Sequence, residues 1–177
     1  MKTVLIPDHV SSEVKIEKKI LGDDYQIICY HNKDKHISES DWKTADGILL
    51  WHHINLNKDL MNKINNCKVI VRAGVGFDNV DIELAKKRKI IVCNVPDYGT
   101  NDVADHSMAL MLSLARGIEK YNSEVKNNKK WDWYSAGELN RISNSTLGIV
   151  GLGRIGTSMA LRAKAFGMKV IFFDPYI

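Results

Sequence analysis

The chain has 177 residues, of which 45% are hydrophobic and 26% charged, and it carries a formal net charge of +4. That length can bury one good core or two small ones, and the composition is that of an ordinary globular protein rather than a disordered or fibrous one. No apolar run approaches the ~18 residues a membrane span requires, and no signal peptide is expected, since charged Lys2 precedes only a short apolar run ending at Pro7. A cytoplasmic protein is expected, with no membrane partner.

Short apolar runs recur along the first half at Thr3 to Ile6, Tyr25 to Tyr30, Gly47 to Trp51, Val69 to Val71 and Ile90 to Val92. Polar, helix-like stretches separate them, at Ser11 to Leu21, Glu39 to Ala45, Asn57 to Ile64 and Asp81 to Lys87. Continuous apolar strands alternating with helices predict a parallel sheet covered on both faces. Residues 1–98 therefore read as one doubly wound α/β domain. The densest basic run, Lys86-Lys87-Arg88-Lys89, reads as the solvated end of a helix. It is not taken as a nucleic-acid surface, because no aromatic residues interleave with it to stack bases. Cys29, Cys67 and Cys93 are odd in number and show no metal-ligand spacing, so reduced thiols in or near the core are expected and no metal site is assigned.

Directly after the run at Val69 to Val71 comes Arg72-Ala73-Gly74-Val75-Gly76-Phe77-Asp78-Asn79. Two glycines after a parallel strand can let several N–H groups converge on a carboxylate or phosphate, at the sheet edge where α/β proteins bind ligands. The same residues also fit a plain strand-to-helix turn, with Asp78 or Asn79 near the N-cap of the helix that starts around Asp81.

A long helix is predicted from Asn101 and Asp102, both natural N-cap residues, through Val125. Ala104, Met108, Met111, Ala115 and Ile118 form one apolar stripe; Val103, Leu110, Leu114, Tyr121 and Val125 form another. Such a helix should be buried between two bodies and connect the first domain to the second. Trp131-Asp132-Trp133-Tyr134 then reads either as a cap over the core or as a subunit contact.

The most informative motif is Gly151-Leu152-Gly153-Arg154-Ile155-Gly156, set between the apolar strand Thr146 to Val150 and a helix over about Arg154 to Phe166. Gly151 permits the turn out of the strand, Gly153 clears space for a pyrophosphate, and Gly156 lets the helix pack closely on the strand. The helix start directs free N–H groups and its positive dipole end at the phosphates. Asp174 ends the next strand, Lys169 to Phe173, where an acid accepts hydrogen bonds from the adenosine ribose. A carboxylate there repels a 2′-phosphate, which favours NAD over NADP.

Taken together, Arg72 to Asp81, Val92-Cys93-Asn94-Val95-Pro96, Val103-Ala104-Asp105-His106, Gly151 to Gly156 and Asp174-Pro175 resemble the D-isomer-specific 2-hydroxyacid dehydrogenases. Within that family Leu50-Trp51-His52, Arg162 to Gly167 and Phe172 to Tyr176 are most similar to the C-terminal binding protein branch. The resemblance is to the family's N-terminal half. It implies a flavodoxin-like substrate domain over residues 1–98, followed over 99–177 by the connecting helix and the first part of a Rossmann NAD-binding domain. It also implies that Arg72, Gly74, Val75 and Gly76 line the substrate carboxylate and the nicotinamide side of the cleft, with Asn79 supporting that loop. Gly151, Gly153, Arg154, Ile155 and Gly156 would hold the pyrophosphate, and Asp174 the ribose.

The family chemistry is reversible hydride transfer between NADH and a 2-keto acid, giving a D-2-hydroxy acid. Its catalytic Arg, Glu and His fall downstream of the segment matching Asp174, so no catalytic residue is assigned. His52, His53 and His106 are not at the family's catalytic position, and packing or local hydrogen bonding is their expected role. The two strands of the second half would leave an unpaired edge and an uncovered apolar face, which predicts a homodimer or pairing with the rest of a longer protein. A non-enzymatic NAD-sensing interaction protein of the corepressor type is the alternative reading.

Overall fold

The computed structural model describes residues 1–8, 10, 13–31 and 36–177, which fall into two compact units, Met1–Tyr98 and Gly99–Ile177. The first unit holds five strands, β1 (Lys2–Ile6), β2 (Tyr25–Cys29), β3 (Gly47–Leu50), β4 (Val69–Arg72) and β5 (Ile91–Asn94). All pair in parallel, in the order β2-β1-β3-β4-β5. This is the flavodoxin-like order, in which the chain reverses its direction of growth between β1 and β3.

Four short helices connect the strands: α1 (Lys15–Leu21), α2 (Glu39–Thr44), α3 (Lys58–Lys63) and α4 (Ile82–Lys87). Each of the last three begins on a side-chain cap: Ser38 accepts from the Asp41 N–H, Asn57 from Asp59 and Leu60, and Asp81 from Leu84. The core of this unit is Leu5, Ile48, Leu50, Leu56, Met61 and Ile70, all fully or almost fully buried, with Trp42 and Ile64 beside them. Strand positions shift by a residue or so from the sequence reading. The expected start of the first helix at Ser11 lies outside the described residues.

The second unit contains α5 (Thr100–Ala115), α6 (Ile118–Asn128), β6 (Thr146–Val150), α7 (Arg154–Ala165) and β7 (Lys169–Phe173). β6 and β7 form a two-stranded parallel sheet with Thr146 opposite Lys169 and Val150 opposite Phe173. Ala104 and Met108 of α5 pack on Met159 and Ala163 of α7, with Met168 completing a small core.

Three expectations for this half are corrected. The single long helix is two helices, because Gly117 takes a left-handed conformation at φ 60° and ends α5 there. The α5 start is capped from Gly99 without a side-chain bond; the Asn101 side-chain Oδ1 instead accepts from Ser158 and Arg162 of α7. Nor is α5 buried all round: the Ala104–Met108 stripe is covered, whereas Leu114 on the other stripe is 80% exposed and Leu110 and Val103 are also exposed. Trp131 is 90% exposed and Trp133 stacks edge-on to Tyr134 at 5.4 Å, so this cluster does not cap the core.

All three cysteines are free, but only Cys67 is buried, Cys29 is partly so and Cys93 is exposed, which corrects the expectation that all lie in or near the core. Among the described residues no helix is long and apolar enough to cross a membrane, and no group of His, Cys, Asp and Glu could hold a metal ion.

Candidate functional site

In the second unit β6 runs directly into the glycine loop. Gly151 sits at φ 91°, a conformation that side-chain-bearing residues rarely adopt, and its N–H donates to the Phe173 carbonyl at 2.8 Å. A Cβ added at Gly156 would overlap the Gly151 carbonyl oxygen and press on the Ile149 side chain, so α7 approaches β6 only because residue 156 has none. Gly153, the N-cap of α7, has the opposite surroundings: a Cβ there would meet nothing within 4 Å. The three glycines thus do three different things, namely turn, open space and close packing. Arg154 and Ile155 occupy the exposed first turn of α7 beside that open space.

Asp174 closes the loop from the other side. One carboxylate oxygen accepts from the Leu152 N–H at 2.7 Å and the other from the Tyr176 N–H at 2.8 Å. Each oxygen retains a further lone pair for a donor such as a ribose hydroxyl. The fingerprint and its acid are therefore bonded to one another, with an unobstructed helix N-terminus between them. That arrangement fits a dinucleotide's ADP half.

The second cluster lies at the C-terminal edge of the first unit's sheet. Arg72 ends β4, and its guanidinium folds over Gly74, where any Cβ would collide with Nη1; its Nε is buried without a partner. The loop is pinned by Ala73 N–H to the Leu50 carbonyl (2.7 Å), Val95 N–H to the Gly74 carbonyl (3.0 Å) and Asn94 Nδ2 to the Val75 carbonyl (2.8 Å). Val75 and Gly76 are exposed beyond it. Asn79 does not cap α4, as a plain turn would have it. Asp81 does that, while Asn79 Nδ2 donates to the carbonyls of Trp51 (3.0 Å) and Ile54 (2.8 Å).

Sequence reasoning missed Asp8. It follows β1 and is the one buried charged residue among those described, with its carboxylate fully enclosed. It accepts from the N–H groups of Trp51 (2.8 Å), His53 (2.8 Å) and Ile54 (3.3 Å), and His53 Nδ1 lies 3.5 Å away. The His52 and His53 rings stack at 4.1 Å. A lone Asp after a strand reads as loop polarity; the available signal was its position at the β1/β3 reversal, where this fold places ligands.

The comparisons with known proteins agree with this architecture. The family model for the catalytic domain of D-isomer specific 2-hydroxyacid dehydrogenases matches residues 4–160. The chain belongs to that family. A D-3-phosphoglycerate dehydrogenase of Bacillus subtilis is 39% identical over 179 residues, covering 100% of this chain and 33% of that protein. C-terminal-binding protein 1 of Caenorhabditis elegans is 34% identical, over 93% of this chain and 24% of that protein. Among solved structures of the family, a D-lactate dehydrogenase of Aquifex aeolicus complexed with NAD and lactic acid superposes with a TM-score of 0.86. It has 28% identity, over 98% of this chain and 51% of the other. The chain thus spans about a third or less of these curated relatives and about half of that solved one.

Proposed function

We propose that this chain is the NAD- and substrate-anchoring part of an NAD-dependent D-2-hydroxyacid dehydrogenase. The observation that carries the reading is the Leu152 N–H to Asp174 bond of 2.7 Å, which joins the glycine loop to the acid that would select NAD. Gly151, Gly153, Arg154, Ile155 and Gly156 hold the pyrophosphate, and Asp174 takes the adenosine ribose and rejects a 2′-phosphate. When bound, NAD supplies the hydride acceptor for C2 of a 2-hydroxy acid, and NADH the donor for the reverse.

Arg72, with the N–H groups of Val75 and Gly76 presented by the turn at Gly74, anchors the substrate carboxylate; Val75 also borders the cofactor, and Asn79 holds the loop. The substrate is accordingly a small 2-keto or 2-hydroxy acid. The proton-transferring groups are not assigned within these residues. His53 is tied to Asp8 and His106 lies in the first turns of α5, so neither is given that role. Association with a second copy, or with the rest of a longer protein, covers exposed apolar residues of the small sheet such as Val150 (90% exposed) and Phe173 (66%).

Two measurements on the 177-residue chain test this. NADH fluorescence should report weak binding, and NADH-dependent reduction of glyoxylate or pyruvate should be undetectable. No NADH binding at any concentration would overturn the cofactor assignment, and robust turnover would show that the catalytic groups lie among these residues after all.

A further inference from the structure

A fully buried carboxylate in a small sheet domain has a cost, and Asp8 offsets it with three backbone N–H donors drawn from one loop. Those donors, on Trp51, His53 and Ile54, belong to the turn that leaves β3 next to β1. The carbonyl side of the same turn is also engaged: the Trp51 and Ile54 carbonyls accept from Asn79 Nδ2. The Asn79 main chain returns the contact, its carbonyl accepting from the Leu56 N–H at 2.8 Å. The turn is therefore held between two side chains, one acidic from β1 and one amide from the loop that begins at Arg72.

We infer that Asp8 is a positioning residue for the substrate site: through the Trp51–Ile54 turn and Asn79 it fixes the Arg72–Asn79 loop that anchors the substrate carboxylate. The inference rests on the substrate reading proposed above. The carboxylate has acceptor capacity for all three N–H groups and for the His53 ring. An Asn in its place keeps the shape but turns an NH₂ group towards at least one of these donors. The turn then loses its anchor, and the Asn79 contacts that depend on the turn loosen with it. His53 is held by the same carboxylate at 3.5 Å and reports on the anchor without being part of the loop.

The experiment compares the full chain with Asp8→Asn and with Met61→Ala, a core truncation in α3 whose side chain is equally buried but makes none of the hydrogen bonds that hold the turn. Amide hydrogen exchange and ¹H–¹⁵N spectra are recorded without ligand, and oxalate, a planar stand-in for a 2-keto acid, is then titrated. In Asp8→Asn, exchange at Trp51, His53 and Ile54 should rise, resonances of Gly74, Val75, Gly76 and the Asn79 side chain should move, and oxalate affinity should fall about tenfold, as for loss of one charge-assisted anchor. Met61→Ala should lower thermal stability and leave oxalate affinity within about twofold, since it shares no hydrogen-bond partner with the turn. Changes confined to the Trp51–Ile54 turn, or unchanged oxalate affinity in Asp8→Asn, would overturn the positioning role while leaving the substrate reading intact. Failure of the unaltered chain to bind oxalate would overturn the substrate reading itself, and the positioning role with it.

Discussion

Gly156 and Gly151 are in such close apposition that a β-carbon on the first would overlap the carbonyl oxygen of the second. This one approach brings the start of α7 against the end of β6, and it separates a structural glycine from a ligand-space glycine in the same six-residue motif.

Gly156→Ala and Gly153→Ala should therefore behave oppositely. The first forces the α7 backbone away from β6 and should cost about 1–3 kcal/mol, as overpacking does. The second meets open space and should leave stability within about 0.5 kcal/mol, as surface changes do, while placing a methyl group where the pyrophosphate would lie. Thermal melts and NADH titration of the two variants separate these effects. Equal destabilisation by both would contradict the assignment.

Gly74→Ala makes a related prediction in the other unit. The atom in the way is Nη1 of Arg72, the far end of a flexible side chain, so the guanidinium can swing aside at little cost to folding. Thermal stability should barely change, but the Arg72 head group should leave its position and oxalate binding should weaken by about tenfold. Undiminished binding would mean that Arg72 does not hold the carboxylate from this position.

Arg162 bonds Asp105, Asn101 and Ser158, tying α7 to α5. Asp105 is mostly exposed, so Asp105→Ala should cost no more than about 1 kcal/mol. Arg162→Ala breaks several bonds at once and strips cover from the α5–α7 seam, and it should cost about 1–3 kcal/mol. Chemical denaturation of the two variants checks the order. Asp105→Ala exceeding Arg162→Ala would show that the ion pair, rather than the network, holds the helices.

Burial pushes the Cys67 thiol up to about 11 from its usual 9.0. The protonated form is the one the fold favours, so this contribution to stability is fully present below pH 9 and is lost as pH rises from 9 towards about 11. Native alkylation at pH 8 should label exposed Cys93 first and Cys67 last. Cys67→Ala should flatten the alkaline fall in stability between pH 9 and 11. Rapid labelling of Cys67 in the native chain would show the site to be open.

The elements around the fingerprint were readable because each rests on a local pattern: Thr146–Val150 and Lys169–Phe173 are bounded by glycines and the helix between them starts from one. The break at Gly117 was overlooked because the apolar spacing of Met111, Ala115 and Ile118 runs across it, and periodicity outweighed a single glycine. The exposed stripe of α5 was read as buried because its sequence pattern shows only that a face is apolar, not what covers it. Asp8 was invisible for a different reason. Its partners lie 43 or more residues away, and nothing in the local sequence brings a strand-end carboxylate to Trp51.

The central claim is that Gly151–Gly156 and Asp174 form an NAD-selective ribose and pyrophosphate site. It is tested most directly by titrating the ¹⁵N-labelled chain with NADH and NADPH and repeating both with Asp174→Ser. The account predicts shifts centred on Gly151, Gly153, Ile155 and Gly156, NADH bound at least about tenfold more tightly than NADPH, and loss of that preference in Asp174→Ser. Equal affinity for the two cofactors in the unaltered chain, or shifts that bypass the glycine loop, would contradict it.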